Sequence, residues 1–220
     1  IFEMIDFSGN DLFSAGLPSG SLDSVEFSIG SAVCPILGCT DSLANNYDAT
    51  ANTDDGSCLY ACSTAPYLEN FDAGTGTWTV NGWYLQTGST PSGGTGPSDD
   101  VTVGGGYMYY ETSAASSSDP IPLEGATVSM TSECLDMSAL TDPCLAFNYH
   151  MFGANIGTLS AIVNGDTVWT LSGDQGSIWK VAQVSLSAYA GLNVTIEFAA
   201  EYGDGWAGDI AVDQISVDEC

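Results

Sequence analysis

Apolar and polar residues alternate along residues 145–152, the pattern of a β-strand that packs on a core with one face. An Asn164-Gly165 pair follows, and this dipeptide favours a two-residue hairpin turn because both residues accept positive φ values. We therefore predict that residues 159–163 fold back on residues 167–171. The side chains expected on the core face of the first strand are Leu145, Phe147, Tyr149 and Met151.

Further short stretches are rich in β-branched and aromatic residues and are bounded by turn residues. With 26 Gly, 44% hydrophobic residues and only 13% charged residues, the chain has the composition of an all-β sandwich rather than a helical bundle or an α/β fold. No apolar run of about 20 residues occurs, so we expect no membrane insertion. The additional predicted strands are residues 126–132, 181–186, 193–199 and 210–217.

The charge of the chain is strongly one-sided. Asp and Glu number 28 against one Lys or Arg, and the formal net charge is −27. Nucleic acid is excluded as a partner, because phosphate binding needs clustered basic side chains. Two interpretations stay open: a surface adapted to salty water, where ions screen repulsion between carboxylates, or the binding of divalent metal ions. A carboxylate that is forced inward here must find a metal ion or hydrogen-bond donors, or take up a proton.

Seven cysteines and one histidine, without any CxxC pair, favour disulfides over a zinc site. Disulfides imply an oxidising compartment, so we expect a secreted or cell-surface protein. Because seven is odd, one thiol is left free or paired elsewhere. The first residues are neither Met nor a signal peptide, and we expect the chain to be part of a longer exported product.

The length of 220 residues favours one large domain with smaller pieces. We divide the chain into a strand segment (1–33), a cysteine-rich acidic module (34–62) and a β-sandwich (63–220). Residues 1–33 hold two alternating runs that are too short to form a core. They either complete or dock on a neighbouring domain, or add strands to a neighbouring molecule.

The acidic module places many Asp and Asn residues between two cysteines, followed by Gly56. Such closely spaced oxygen ligands suit Ca²⁺, although the spacing is not that of an EF-hand. The alternative is a disulfide-closed spacer in which these side chains cap turns. The segment GCTDSLANNYDATANTDDGSC resembles a cysteine-bracketed repeat of secreted marine Bacteroidetes proteins and, distantly, the calcium repeats of thrombospondins. The expected ligands are Asp41, Asp48, Asp54 and Asp55, within the loop closed by Cys39 and Cys58.

From residue 65 to residue 220 the chain resembles the MAM domain, an adhesive module of meprins, neuropilins and receptor tyrosine phosphatases. Six motifs stand in the family's order: NFDAGTGTW, STPSGGTGPSDD, GYMYYETS, CLAFNYHMFG, LSGDQGSIW and GDIAVDQISV. The resemblance implies a jelly-roll β-sandwich of two antiparallel sheets. The chain departs from the family in lacking its early second cysteine.

Because the terminal strands of such sandwiches are commonly neighbours, the resemblance implies a disulfide between Cys62 and Cys220, and we pair Cys134 with Cys144. Cys34 is then left over. Many other pairings are compatible with the sequence alone.

The resemblance also implies a structural calcium ion. Asp72, Asp100 and Glu111 stand at the positions of the family's acidic motif residues, and we add Asp213 as the fourth ligand, with Asp209 as a weaker candidate. In the last predicted strand Asp213 shares a face with Ile215 and Val217, so we expect its carboxylate to point partly inward. The alternative is a carboxylate that caps backbone N–H groups at the edge of the sandwich.

No enzymatic site is predicted. His150 has neither a second histidine nor a motif nucleophile beside it, and we interpret it as a packed strand residue. Among the five tryptophans, Trp206 in the loop EYGDGWAGD is the best candidate for an exposed sugar-stacking residue. Three short tripeptides resemble the O-glycosylation motif of Bacteroidetes, with Ser24, Ser42 and Thr167 as the sites.

The leading hypothesis is a non-enzymatic extracellular adhesion module, stabilised by Ca²⁺ and part of a larger adhesin or fibre. Its partners would be other protein subunits or cell-surface glycans. A second hypothesis is a carbohydrate-binding accessory region of a secreted hydrolase. In a third, residues 1–33 insert into a neighbouring copy and make a homo-polymer.

Overall fold

The computed structural model of the protein describes residues 3–5, 11–14, 35–42, 44–58, 61–113 and 125–220. These residues form β-strands joined by turns and loops, with one short 3₁₀ turn at Ser187–Tyr189. Within these ranges no helix is long and apolar enough to cross a membrane. The strands are β1 (Glu3–Ile5), β2 (Asp11–Ser14), β3 (Leu37–Gly38), β4 (Thr53–Asp54), β5 (Ser63–Thr64), β6 (Tyr67–Glu69), β7 (Thr79–Asn81), β8 (Tyr84–Thr87), β9 (Gly106–Tyr110), β10 (Thr127–Thr131), β11 (Leu135–Asp136), β12 (Pro143–Met151), β13 (Thr158–Val163), β14 (Asp166–Ser172), β15 (Gly176–Ser185), β16 (Asn193–Val194), β17 (Ile196–Glu201) and β18 (Ile210–Glu219).

Two antiparallel sheets make up the body of the protein. The first has the strand order β14-β13-β17-β10-β7, and the second has the order β15-β12-β18-β9-β8, with β6 also paired to β18. The sheets enclose one apolar core, in which the rings of Phe147 and Phe198 from opposite sheets lie 4.7 Å apart. The all-β sandwich predicted from the sequence is therefore confirmed.

The hairpin predicted at Asn164-Gly165 is present. β13 and β14 pair with Val163 opposite Asp166, and the two turn residues have φ values of 50° and 89°. The alternation predicted for residues 145–152 is also confirmed, because the four side chains assigned to the core are at most 9% exposed. Strand β12 lies in the middle of its sheet, between β15 and β18.

The last strand differs from its predicted alternation. Val212 and Ile215 both lie in the core, although positions three residues apart point to opposite faces of a strand unless a bulge intervenes. The register against β12 shifts at this place, and Gln214 has a φ of 52°. Asp213 therefore points away from the core, and the prediction that it shares a face with Ile215 was wrong.

The described residues contain three disulfides, and one of the predicted pairings is confirmed. Cys39 is bonded to Cys58 and closes the acidic loop, as predicted. The other two bonds are Cys62–Cys134 and Cys144–Cys220, so the predicted pairs Cys62–Cys220 and Cys134–Cys144 were wrong.

Strand pairing explains the observed connectivity. β5 runs parallel to β11, with Ser63 opposite Leu135, and this brings the cysteines that precede the two strands together. β12 runs antiparallel to β18, with Cys144 opposite Asp218, two residues from Cys220. The first and last strands of the sandwich are neighbours, since β6 pairs with β18, but Cys62 lies outside that pairing.

Candidate functional site

A loop of residues 88–105 lies over the outer face of the second sheet. Two side chains from neighbouring strands and one from the loop itself fix its position by hydrogen bonds. The Tyr107 hydroxyl donates to the Gly88 carbonyl at 2.7 Å, and the Trp179 indole N–H donates to the Asp99 carbonyl at 2.9 Å. From the loop itself, the Thr95 hydroxyl donates to the Phe152 carbonyl at 2.9 Å. Sequence reasoning missed these anchors, because alternation marks them only as sheet residues.

Asp213 meets this loop at one end of the site. Its carboxylate accepts hydrogen bonds from the backbone N–H groups of Val101, at 3.2 Å, and Gln214, at 2.7 Å. The side chain is 0% exposed. Burial raises the pKa of Asp213 to about 6, and the charges of Asp100 and Asp72 act in the same direction, against the two backbone hydrogen bonds.

Asp100 belongs to the loop, lies beside Asp213 of β18, and is 4% exposed. Its Oδ2 accepts from the N–H and the hydroxyl of Thr102, at 3.2 and 2.5 Å, while its Oδ1 is buried without a hydrogen-bond partner. Burial alone would raise the pKa of this carboxyl, but the hydrogen bonds from Thr102, Gly105 and Val103 outweigh it and hold the pKa below its ordinary value. Asp100 therefore stays charged with one oxygen unused.

Asp72, between β6 and β7, approaches the same place from the start of the sandwich. Its Oδ1 accepts from the Gly106 N–H at 3.0 Å, and its Oδ2 accepts from the Asn70 side-chain amide at 2.6 Å. A Cβ at Gly105 would overlap Asp72 Oδ1 and lie 2.6 Å from Asp100 Oδ2. Gly105 thus leaves the space in which these two carboxylates approach each other.

Glu111 and Asp209 form a second group, away from the first. They face each other across β9 and β18, because Tyr109 is opposite Ala211 in the register of these strands. Glu111 Oε1 accepts from the N–H and hydroxyl of Ser113, at 2.8 and 2.7 Å. The structure thus separates Glu111 from the other three predicted calcium ligands.

Asp209 is 0% exposed, and its Oδ2 has no hydrogen-bond partner. Its Oδ1 accepts from the Thr112 N–H at 3.2 Å and lies 3.3 Å from the Thr112 hydroxyl oxygen. Burial and the neighbouring Glu111 charge raise the pKa of Asp209 to about 7. This carboxyl is therefore poised between its neutral and charged forms at neutral pH.

The acidic module uses its described carboxylates to cap turns. Asp48 Oδ1 accepts from the N–H and the hydroxyl of Thr50, at 2.8 and 2.6 Å, and these bonds lower the pKa of Asp48. Asp54 and Asp55 each accept from the N–H two residues ahead, at 3.0 Å. The geometry fits the capping alternative. Calcium binding here, with Asp41 included, stays a prediction.

Across the described residues, no three His, Cys, Asp or Glu side chains form a ready-made metal-binding group. The chemistry of Asp72, Asp100 and Asp213 nevertheless fits a hard cation such as Ca²⁺, which takes oxygen ligands only. Asp100 offers a buried, unpartnered Oδ1, and the three carboxylates approach one loop. These three residues would hold the ion.

The His150 side chain is packed inside the protein and is not presented at the surface. It is 2% exposed, and its ring lies 5.5 Å from that of Trp179 and 6.4 Å from that of Phe152. Burial lowers its pKa, against the hydrogen bond that the ring makes to the Ser177 backbone and the charge of Asp174. At neutral pH this imidazole is uncharged and out of reach of a substrate.

Trp206 is 56% exposed, whereas Trp78 and Trp83 are at most 5% exposed.

Of the predicted O-glycosylation sites, Ser42 and Thr167 are exposed. Their modification stays a prediction. Ser24 and Cys34 lie outside the described residues, as does most of the strand segment 1–33, of which β1 and β2 form an antiparallel pair.

Comparisons with known proteins agree with this architecture. The family model described as MAM domain, meprin/A5/mu, matches residues 70–220. Neuropilin-1a of Danio rerio is 30% identical over 202 residues, covering 81% of this chain and 21% of that protein. MAM domain-containing glycosylphosphatidylinositol anchor protein 1 of Homo sapiens is 31% identical over 205 residues, covering 87% of this chain and 19% of that protein. The chain thus spans about a fifth of the length of these relatives.

A solved structure shares the fold. The K1 cleaved adhesin domain of Lys-gingipain from Porphyromonas gingivalis W83 matches with a TM-score of 0.50 at 16% identity, covering 70% of this chain and 98% of that domain. The three disulfides fit an oxidising, extracellular compartment. Because the family model matches more than half of its length, the chain belongs to the MAM domain family, meprin/A5/mu.

Proposed function

We propose that the chain is a non-enzymatic binding module of an extracellular protein, that it acts in adhesion, and that Ca²⁺ stabilises it. The observation that carries the calcium part is the position of Asp100 and Asp213, which are 4% and 0% exposed. Their described hydrogen-bond partners are backbone N–H groups and the Thr102 hydroxyl, which carry no net positive charge. Burying a carboxylate without a counter-charge is costly. The raised pKa of Asp213 reflects this cost, whereas hydrogen bonds offset it at Asp100.

Three distant segments of the chain meet at this place. Asp72 follows the first strand of the sandwich and bonds to Gly106, 34 residues away. Asp213 belongs to the last strand and bonds to Val101, 112 residues away. When bound, Ca²⁺ would supply the missing positive charge and common coordination for these carboxylates. The ion would in this way tie the loop of residues 88–105 to the first and last strands of the sandwich, through Asp100, Asp72 and Asp213.

Membership of the MAM family and the disulfides support an extracellular adhesive role. A catalytic role finds no support in His150, the one histidine of the chain, which is 2% exposed. The partners that we propose are other protein subunits or cell-surface glycans. Ca²⁺ in the acidic module, at Asp41, Asp48, Asp54 and Asp55, remains a separate proposal.

Thermal unfolding with and without calcium tests the metal part. We expect the melting midpoint in 2 mM Ca²⁺ to exceed that in EGTA, because a ligand that binds only the folded state stabilises it by about 2.7 kcal/mol at a hundred times its dissociation constant. In Asp213→Asn we expect this difference to disappear, whereas in Asp54→Asn it should persist. Equal midpoints of the wild-type protein in calcium and EGTA would refute structural calcium.

A second candidate function is a carbohydrate-binding accessory region of a secreted hydrolase. The exposed side chain of Trp206 is the observation that favours it. Sequence upstream of this chain discriminates the two, since an HExxH motif there supports the hydrolase and further acidic or MAM-like modules support the adhesin.

Light scattering at rising concentration, with and without calcium, tests the homo-polymer: monomers throughout would argue against it.

A further inference from the structure

Trp206 is the only one of the five tryptophans whose side chain is exposed, at 56%. The core explains the others: Trp78 and Trp83 are buried, and Trp169 and Trp179 pack partly buried against aromatic rings. An indole left in water forgoes about 1.5–3 kcal/mol of stabilisation by burial that a large apolar side chain gains in a core. This side chain therefore contributes little to the fold in proportion to its size.

The backbone that presents Trp206 is held from both sides. The Thr112 hydroxyl donates to the Trp206 carbonyl at 3.0 Å and accepts from the Gly208 N–H at 3.0 Å. The Asn155 N–H donates to the Ala207 carbonyl at 2.9 Å. Thr112 is itself 1% exposed and bonded to buried Asp209. The backbone of the loop that carries the indole is thus held by hydrogen bonds, so that binding does not have to order the loop.

A polar groove of about 750 Å³ opens beside the same loop. Asp204, two residues before Trp206, lines it and is fixed by the Asn155 side-chain amide at 2.8 Å. Thr158, Ser172 and Glu201 also line the groove; the hydroxyls of Thr158 and Ser172 lie 2.9 Å apart, and the Glu201 side chain is exposed. The groove therefore offers hydroxyl and carboxylate oxygens, and one of its lining residues, Asp204, belongs to the loop that carries the exposed Trp206 indole.

This pairing suits a sugar ring, which has an apolar face of C–H groups and hydroxyl donors around its rim. An indole stacks on the apolar face, and carboxylate and hydroxyl oxygens accept the hydroxyl protons. Charge restricts the class of sugar. The chain has one Lys or Arg and a formal net charge of −27, so uronates, sulfated sugars and sialylated sugars are repelled.

We propose that Trp206 and the groove lined by Asp204, Glu201, Thr158 and Ser172 bind neutral saccharides. This inference rests on the proposed binding function and names the ligand class of one surface. It does not depend on calcium at Asp72, Asp100 and Asp213.

Affinity gel electrophoresis of the folded protein tests the proposal. The probes are neutral polysaccharides of gluco-, manno- and galacto-configuration, with polygalacturonate and heparin as anionic counterparts. We expect at least one neutral polysaccharide to retard the wild-type protein and neither polyanion to do so. Trp206→Ala should weaken the interaction at least tenfold, and Trp206→Phe should keep part of it. Val181→Ala removes an apolar side chain that is 67% exposed elsewhere and should bind as the wild type does.

Three results would overturn the proposal: no retardation by any neutral polysaccharide, unchanged retardation of Trp206→Ala, or retardation by the polyanions alone. Sedimentation of the same variants tests whether a second copy of the chain binds at this surface. Dimers of the wild type that are absent in Trp206→Ala would make it a self-association surface instead. The melting midpoints in calcium and EGTA separate the two proposals. A Trp206→Ala variant with the wild-type response to calcium shows that only the saccharide site is affected.

Discussion

Replacing Asp209 with Asn should stabilise the calcium-free protein at alkaline pH. Asp209 is 0% exposed, and burial together with the Glu111 charge raises its pKa from 3.8 to about 7. One pKa unit corresponds to about 1.4 kcal/mol, so ionising this carboxyl in the folded protein costs about 4 kcal/mol relative to the unfolded chain. Asn keeps the Oδ1 acceptor that Thr112 uses and carries no charge.

The sign of the pH dependence follows from the raised pKa. Below the unfolded value of 3.8 the carboxyl is neutral in both states and the cost is absent. The cost grows as the pH rises from 3.8 to about 7 and is fully present above that value. Asp209→Asn should therefore melt higher than the wild type at pH 8, and the difference should be less than half as large at pH 5, where the cost is about 1.7 kcal/mol. Burial lowers the pKa of His150, so protonation of this residue destabilises the fold as the pH falls below about 6.5. This effect is the same in the wild type and the variant. The difference between their melting midpoints therefore reports on Asp209 alone.

Circular dichroism melting in EGTA at pH 5 and pH 8 measures the effect. The full 4 kcal/mol would raise the midpoint by about 8–16 °C in a domain of this size, and relaxation around the buried group reduces that figure. A rise of about 3 °C at pH 8 is the smallest that supports the reasoning. Asp142→Asn removes the same formal charge from an exposed position and serves as the control. If Asp209→Asn and Asp142→Asn shifted the melting midpoint equally, or if Asp209→Asn shifted it equally at both pH values, the cost assigned to ionising Asp209 would be refuted.

The remaining predictions concern the loop before β9 and the disulfides. Gly105→Ala should abolish the response of the melting midpoint to calcium, because the added Cβ overlaps Asp72 Oδ1; an unchanged response would contradict the proposed site. Val103→Gly should stabilise the protein by about 1 kcal/mol in urea unfolding, since Val103 is a β-branched residue at a φ of 66° and is 78% exposed; destabilisation would show that its side chain packs. Non-reducing peptide mapping should recover Cys62 joined to Cys134, and a different partner would contradict the pairing of β5 with β11.

Local sequence patterns predicted the strands whose geometry is regular. The alternation along β12 holds because that strand packs one face on the core for its whole length. The hairpin at Asn164-Gly165 holds because two positive φ values decide that turn locally. In both cases the information lies within a few residues of the chain.

Features that depend on pairing between distant strands could not be predicted in this way. The bulge at Gln214 shifts the register against β12, and an alternation drawn from β18 alone misplaces Asp213 as a result. The disulfide partners of Cys62 and Cys220 follow from the parallel pair β5–β11 and from the β12–β18 register. Neither pairing leaves a mark in the local sequence.

The candidate site shows the same limit. Motif positions grouped Asp72, Asp100 and Glu111. The carboxylates of Asp72 and Asp100 approach each other at Gly105, whereas Glu111 lies with Asp209, and their role as ligands stays a prediction. Thr112 was missed altogether, because a threonine at the end of a strand has no distinctive pattern. Its role in the Trp206 loop emerges only from contacts between residues 94 positions apart.

The central place of β18 has a consequence for synthesis. This strand is paired to β12 on one edge and to β9 and β6 on the other, so it joins parts of the sheet made much earlier. Until residues 210–219 leave the ribosome or the export channel, β12 and β9 each present an open edge that can pair wrongly. Formation of Cys144–Cys220 must also wait for that moment. Folding of this module is therefore a late event, and chaperones that shield strand edges would matter most while its nascent chain is incomplete.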